Sequence, residues 1–253
     1  IRDMVNAQKM LIDELGIKKL LCVIGGSAGG FQALQWAANY PEIVISAIPI
    51  ATSFRHSAQN IAFHEVGRQA IMSDPNWCNG NYINKKKRPG KGLSVARMLA
   101  HITYLSEEAF QRKFGRNLQN KLSLTYGFKT DFQVESYLKY QGQTFVDRFD
   151  ANSYLYITRA MDYFDLPSQK KDGLKNIFKN TPVKFCVISF TSDWVYPTKY
   201  SKEIVDSLNA VGANVSFVEI QTDKGHDAFL LDEKEFNGIV RGFLKATANK
   251  IGF

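Results

Sequence analysis

Three cysteines, four histidines and seven prolines in 253 residues leave several kinds of chemistry without material. Cys22, Cys78 and Cys186 are odd in number and far apart. They offer neither a disulfide framework nor the close Cys/His spacing of a structural metal site, and they suit a reducing compartment. No metal is expected. No run of eighteen apolar residues occurs, which excludes a transmembrane helix, and the start has no signal-peptide pattern. A cytoplasmic location and no membrane partner are the expectations. Repeats and low-complexity tracts are absent too. The formal charge of +8 is mostly dispersed, and the one dense basic run is Lys85-Lys86-Lys87-Arg88. Such a run is usually a solvated loop. Nucleic acid is therefore not an expected partner, and the alternative use of the run is contact with the phosphates of a nucleotide-bearing substrate.

What the chain does have is one short stretch on which the rest can be organised. Leu20-Leu21-Cys22-Val23-Ile24 is a run of apolar residues and one cysteine that ends in Gly25-Gly26-Ser27-Ala28-Gly29-Gly30. Gly25 to Gly29 fits G-x-S-x-G, a sharp strand-to-helix turn that presents a serine above a sheet. The serine backbone is strained there, and side chains flanking it would collide with strand or helix. Ser27 would stand at the N-terminus of the helix, where the N–H of Ala28 could donate to an oxyanion. The alternative for this stretch alone is a glycine-rich turn that packs a helix on a strand. A phosphate loop is disfavoured because no Gly-Lys-Ser/Thr follows.

Around that stretch the apolar spacing predicts alternating helices and strands. Met4 to Leu15 is a helix, Lys19 to Ile24 a strand, and 28–39 a helix. Val44 to Ala51, almost continuously apolar, is a strand covered on both faces. Strand, helix and strand at this spacing form a right-handed βαβ unit. From about position 55 the periodicity is mostly helical. Helices are expected over 57–73, 93–104, 107–114 and 134–149, with a polar loop over 74–92. Alternation resumes with a strand over 182–190, a helix over 198–211, a strand over 215–220 and a closing helix over 233–248. The expected fold class is α/β, a mostly parallel sheet with helices on both faces. Residues 1–55 and 171–253 would form the sheet domain, and 56–170 a helical cap insertion.

A nucleophilic serine needs a base, and the base an orienting carboxylate. Of the four histidines, only His226 lies in a loop after a strand, in Asp223-Lys224-Gly225-His226-Asp227-Ala228-Phe229. Loops at the C-terminal ends of parallel strands share one crevice, so His226 and Ser27 are expected on the same side. Asp193, in Ser192-Asp193-Trp194, lies just past another strand. Serine, aspartate, histidine is the chain order of α/β-hydrolase triads. Asp223 and Asp227 are rival carboxylates, ranked lower because they lie too near His226 in sequence. His56, His64 and His101 are expected to be cap-bonded or at the surface.

With these residues placed, the chain resembles the homoserine O-acetyltransferases, a family of the α/β-hydrolase fold that also includes serine and homoserine O-succinyltransferases. The resemblance covers nearly the whole chain. It includes Ser57-Ala58-Gln59-Asn60-Ile61-Ala62-Phe63, Asp74-Pro75-Asn76-Trp77, Gly92-Leu93-Ser94-Val95-Ala96-Arg97-Met98 and His101-Ile102-Thr103-Tyr104. Further on it includes Phe149-Asp150-Ala151-Asn152-Ser153-Tyr154 and Gly225-His226-Asp227-Ala228-Phe229. It implies ping-pong transfer of acetyl from acetyl-CoA through acyl-Ser27 to L-homoserine, in methionine biosynthesis, with no bound cofactor. It implies that Arg97 and Tyr104, seven residues apart on one helix face, help hold the amino acid. Asp227 would meet its ammonium group. A homodimer through the cap is implied as well.

Two departures from the family pattern stand out. Ala28 occupies the place where the family usually has methionine. The elbow also lies at position 27, whereas the fold needs several strands before it, one loop among them giving a second oxyanion N–H. The expectation is therefore a fragment that folds poorly alone. The alternative functions are homoserine or serine O-succinyl transfer, serine O-acetyl transfer, an esterase, and an inactive remnant.

Overall fold

The computed structural model describes residues 1–252. In chain order the elements are α1 (Arg2–Glu14), β1 (Val23–Gly26), α2 (Ala28–Asn39), β2 (Ser46–Ile50), α3 (Ala58–Met72), α4 (Gly90–Tyr104), α5 (Glu107–Lys113), α6 (Gln133–Arg148) and α7 (Ala151–Asp162). There follow α8 (Leu174–Ile177), β3 (Lys184–Phe190), α9 (Thr198–Asn209), β4 (Val215–Ile220) and α10 (Lys234–Lys250). The chain divides into two compact units. One comprises residues 1–56 and the chain from 163 onward, the other residues 57–162.

The first unit is built on a four-stranded, fully parallel sheet in the order β1-β2-β3-β4. β2 and nearly all of β3 are buried along their length, as the continuous apolar runs require of central parallel strands. One core cluster joins Ile48, Ile50, Cys186, Ile188, Phe190 and Ile220 to Ala228 and to Phe236 of α10. The alternation of strand and helix needs only its intrinsic pattern to produce this layering. Among the described residues β1 has a strand neighbour on one side only, and Ile24 on it is half exposed.

β1 begins and ends later than its apolar run suggests. Leu20 makes a single bridge to Val44, while Gly25 and Gly26 pair with Pro49 and Ile50. The sheet therefore runs into the glycines and carries the chain straight to Ser27. Residues 163–170 also belong to the sheet unit rather than to the helical insertion. Phe164 stacks on Phe31 with centroids 4.6 Å apart, and the Leu166 N–H donates to the Phe54 carbonyl over 3.1 Å.

The second unit is helical. Its core joins Ile71, Leu93, Ala96, Phe145, Val146 and Ala151. A buried Arg68 guanidinium is neutralised by Asp162 at 2.6 Å and Glu65 at 2.9 Å, and the His64 ring bonds the same Asp162 at 2.7 Å. Ser57 and Asn60 form a reciprocal cap on α3. α4 starts at Gly90, inside the stretch expected to be loop, because the Asp74 carboxylate accepts the Gly92 N–H at 3.0 Å. α7, which the periodicity leaves unresolved within the insertion, opens with Ala151 buried in this core.

Gly92 lies against α3, where an added Cβ would stand 2.3 Å from the Ala70 carbonyl oxygen and 2.7 Å from the Ile71 Cα. Backbone cannot yield as a side chain can. Gly92→Ala is expected to cost about 1–3 kcal/mol. Gly238→Ala, with no atom within 4 Å of the new methyl, should raise stability by up to about 1 kcal/mol. Chemical denaturation of the two variants checks the contrast.

Candidate active site

Ser27 takes φ 56° and ψ −120°, a conformation that a non-glycine residue holds only under constraint. The constraint is visible. The Ser27 N–H donates to the Ile50 carbonyl at 2.9 Å, and the Ser27 carbonyl accepts from the Thr52 hydroxyl at 2.9 Å and from the Gly30 N–H at 2.9 Å. The two glycines before it have no room for a side chain, whereas Gly29 after it has no atom within 4 Å of an added Cβ, contrary to the expectation for every flanking position. A Cβ on Gly25 would lie 2.3 Å from the Gly29 carbonyl oxygen, and one on Gly26 would lie 2.4 Å from the Phe229 ring. Ala28 is the first residue of α2, so its N–H has no carbonyl one turn back within the helix to bond. Ser27 and Ala28 are both half-buried.

Asp193 and His226 sit on the loops that follow β3 and β4. Thr191 beyond β3 and Thr222 beyond β4 exchange two hydrogen bonds of 3.0 Å, and the Gly225 N–H donates to the Ser192 hydroxyl at 2.9 Å. These contacts prolong the strand register into the loops. The result is a buried pair, His226 Nδ1 to Asp193 Oδ2 at 2.8 Å. The other oxygen of Asp193 accepts the N–H groups of Val195 and Tyr196, each at 2.9 Å. A carboxylate oxygen accepts, so Nδ1 is the donor of this bond and Nε2 is the ring nitrogen turned away from Asp193.

Two aromatic rings hold the imidazole. Tyr196 lies 5.4 Å from it, tilted, and Phe229 lies edge-on at 5.5 Å. Each also touches the serine's own elements, because Phe229 covers Gly26 and Tyr196 packs edge-on against Phe31 of α2 at 6.0 Å. The Tyr196 hydroxyl in turn bonds His56 Nε2 at 2.7 Å. The sequence reading did not single out Tyr196 or Phe229. Their proximity to Asp193 and His226 in the chain was the available signal. Asp227 is half-buried in the first turn of the short 3₁₀ segment His226–Leu230.

Arg97 and Tyr104 are on α4 of the helical unit, with the guanidinium carbon 5.6 Å from the Tyr104 ring centre and 4.6 Å from that of Phe145. Unlike Arg68, Arg97 has no ion pair among the described residues, and its Nε is buried with no acceptor. Lys85, Lys86, Lys87 and Arg88 are all exposed. The expectation that the remaining histidines would be cap-bonded or at the surface is corrected for two of them: His56 and His101 are buried, each paired with a tyrosine hydroxyl. His101 lies between Ala100 and Ile102, which was the available sign of burial, whereas His56 lies between Arg55 and Ser57 and carries none. Burial, reinforced by the charges of Arg97, Lys113 and Arg148, lowers His101 to about 4.

An alpha/beta hydrolase fold family model matches residues 1–233. The chain belongs to the α/β-hydrolase fold family. Homoserine O-acetyltransferases are among its sequence relatives. It is 64% identical to the one from Mesorhizobium japonicum over 252 residues, all of this chain and 65% of that protein. Among solved structures, homoserine O-acetyltransferase from Bacillus anthracis superposes with a TM-score of 0.88 at 27% identity, over 96% of this chain and 64% of that one. Esterase E22 superposes with a TM-score of 0.85 at 29% identity, over 96% and 66%. The chain thus spans about two thirds of the length of the relatives it matches.

The lowered His101 makes a stability prediction. Its folded value of about 4 lies below the ordinary 6.5, so on acidification the unfolded chain takes up the proton first. The contribution is complete above pH 6.5 and is lost as pH falls toward 4, up to about 3 kcal/mol in all. His101→Gln should flatten that part of the stability–pH curve in urea titrations. An unchanged slope between pH 6.5 and 4 would contradict the assignment.

Proposed function

We propose that the protein carrying this sequence is a homoserine O-acetyltransferase that works by ping-pong acyl transfer, with Ser27 as nucleophile, His226 as base and Asp193 as its orienting carboxylate. The observation that carries this reading is the buried His226–Asp193 pair of 2.8 Å, on strand-end loops whose Phe229 and Tyr196 lie against Gly26 and Phe31, on either side in the sequence of a serine held at φ 56°. It is supported by 64% identity to a protein of that name.

In the first half-reaction His226 Nε2 takes the Ser27 proton as Oγ attacks the thioester carbonyl of acetyl-CoA. The Ala28 N–H donates to the oxyanion. The C–S bond then breaks and the departing thiolate takes the proton from His226, leaving acetyl-Ser27 and free CoA. In the second half-reaction His226 removes the proton of the L-homoserine γ-hydroxyl, whose oxygen attacks the acetyl carbon. The Ser27 C–O bond breaks and the proton returns to Oγ, giving O-acetyl-L-homoserine.

Arg97 is the group we assign to the acceptor carboxylate, with Tyr104 beside it and Asp227 for the ammonium. An unpaired, half-buried guanidinium stacked on two rings is suited to a planar carboxylate. We place the enzyme in methionine biosynthesis in the cytoplasm, with acetyl-CoA as co-substrate and no bound cofactor or metal. We take it to be a homodimer through the helical unit, which exposes Val95, Ile102, Tyr126, Phe128 and Tyr140. Sedimentation equilibrium should give twice the chain mass, and a monomer at micromolar concentration would refute the dimer.

A second reading is ester hydrolysis, favoured by the near-equal likeness to esterase E22. Release of free CoA from acetyl-CoA by the full-length protein, with and without L-homoserine, separates the two. Transfer requires release that depends on L-homoserine and falls at least ~10³-fold in Ser27→Ala, with Asp193→Asn lowering it by roughly 10⁴-fold. Release indifferent to the acceptor would favour the hydrolase. Turnover confined to succinyl-CoA or to L-serine would replace the substrate assignment.

A further inference from the structure

The ladder between β3 and β4 ends at Phe190 and Ile220, with one further bond from the Thr191 N–H to the Ile220 carbonyl at 3.0 Å. Beyond that point the β3 chain turns, and the Asp193 N–H folds back to the Phe190 carbonyl at 3.1 Å. Side-chain hydroxyls take over the part that backbone carbonyls play in the ladder. The Thr191 hydroxyl accepts the Thr222 N–H and donates to the Thr222 carbonyl, both at 3.0 Å. The Thr222 hydroxyl accepts the Lys224 N–H at 3.3 Å, and the Ser192 hydroxyl accepts the Gly225 N–H at 2.9 Å.

The last of these bonds lies one residue before the pair it supports. Ser192 precedes Asp193 and Gly225 precedes His226, so hydroxyl–amide and carboxylate–imidazole are consecutive rungs between the same two segments. Asp193 fixes one distance, at Nδ1, and a single hydrogen bond leaves the ring free to pivot about it. The pivot is stopped by the peptide from which His226 springs. That peptide begins at a buried Gly225 with φ 79° and ψ −154°, a conformation closed to most side chains. Without the Ser192 hydroxyl its buried N–H loses its acceptor, and the peptide must rotate to recover one.

We propose that Ser192 is a positioning residue for the acyl transfer, with Thr191 supporting it: the Ser192 hydroxyl holds the Gly225 peptide so that His226 keeps its base nitrogen at one angle. The proposal rests on the reading above that His226 is the base, and adds to it what sets the angle. One base moves the proton in both half-reactions, so a change at Ser192 slows both and leaves the binding of either substrate alone.

The test uses the full-length protein. Ser192→Ala removes the acceptor and Ser192→Thr keeps it. In single-turnover measurements Ser192→Ala should slow both acetyl-Ser27 formation and its discharge by L-homoserine, each by ~10–100-fold, with the half-saturating concentrations unchanged. Ser192→Thr should restore most of the rate. The far-downfield proton resonance of His226 Nδ1–H should shift and broaden in Ser192→Ala. A variant that loses thermal stability while its rates per folded molecule and this resonance match the wild type would overturn the proposal, because the hydroxyl would then be merely structural. Slowing of one half-reaction alone would overturn it equally. Should Ser192→Ala not fold, Thr191→Val decides by the same readouts, since it is isosteric and its position is exposed. Undiminished transfer by His226→Ala would sink the functional reading instead, while the resonance would still show whether Ser192 holds the imidazole.

Discussion

The register of a parallel sheet is the constraint on which the site depends. β1, β2, β3 and β4 run the same way, so each delivers its following loop to the same edge. Ser27 follows β1, Asp193 follows β3 and His226 follows β4. Hydrogen bonds between Thr191 and Thr222, and from Gly225 to Ser192, carry that register past the strand ends. The 2.8 Å contact between His226 and Asp193 is the consequence. Side chains 33 positions apart in sequence meet because the backbone between them leaves little choice.

The second constraint is strain held in place by packing. Ser27 stays at positive φ because three hydrogen bonds and the glycines around it over-determine the turn. Phe229 covers Gly26 from the histidine loop, and Tyr196 packs against Phe31 from the aspartate loop. The two rings that hold His226 therefore rest on the two sides of the serine turn. Position and orientation are fixed by the same contacts, which is the form of preorganisation that acyl transfer needs.

Much of this was legible in the sequence because it is governed by local rules. The glycines around Ser27, the continuous apolar strands and the order of serine, aspartate and histidine each carry their own physical reason. Other features depend on contacts that no local pattern encodes. Asp74 reaches across to Gly92 and starts α4 early, inside an apparently polar loop. Residues 163–170 follow a helical stretch, yet Phe164 stacks on Phe31 and joins the sheet unit. The three spare histidines were expected to be cap-bonded or at the surface, but His56 and His101 are buried and each is bonded to a tyrosine hydroxyl. The distinction between Arg68 and Arg97 was likewise invisible in composition. One is neutralised by Asp162 and Glu65, and the other keeps a buried Nε with no acceptor among the described residues.

The central claim is that Ser27 carries the acetyl group between donor and acceptor. The most direct measurement is mass spectrometry of the peptide containing Ser27, from full-length protein mixed with acetyl-CoA and quenched before acceptor is added. The account predicts one acetyl group on Ser27, discharged on addition of L-homoserine and absent in Ser27→Ala. An unmodified Ser27 in protein that nonetheless turns over acetyl-CoA and L-homoserine would contradict it.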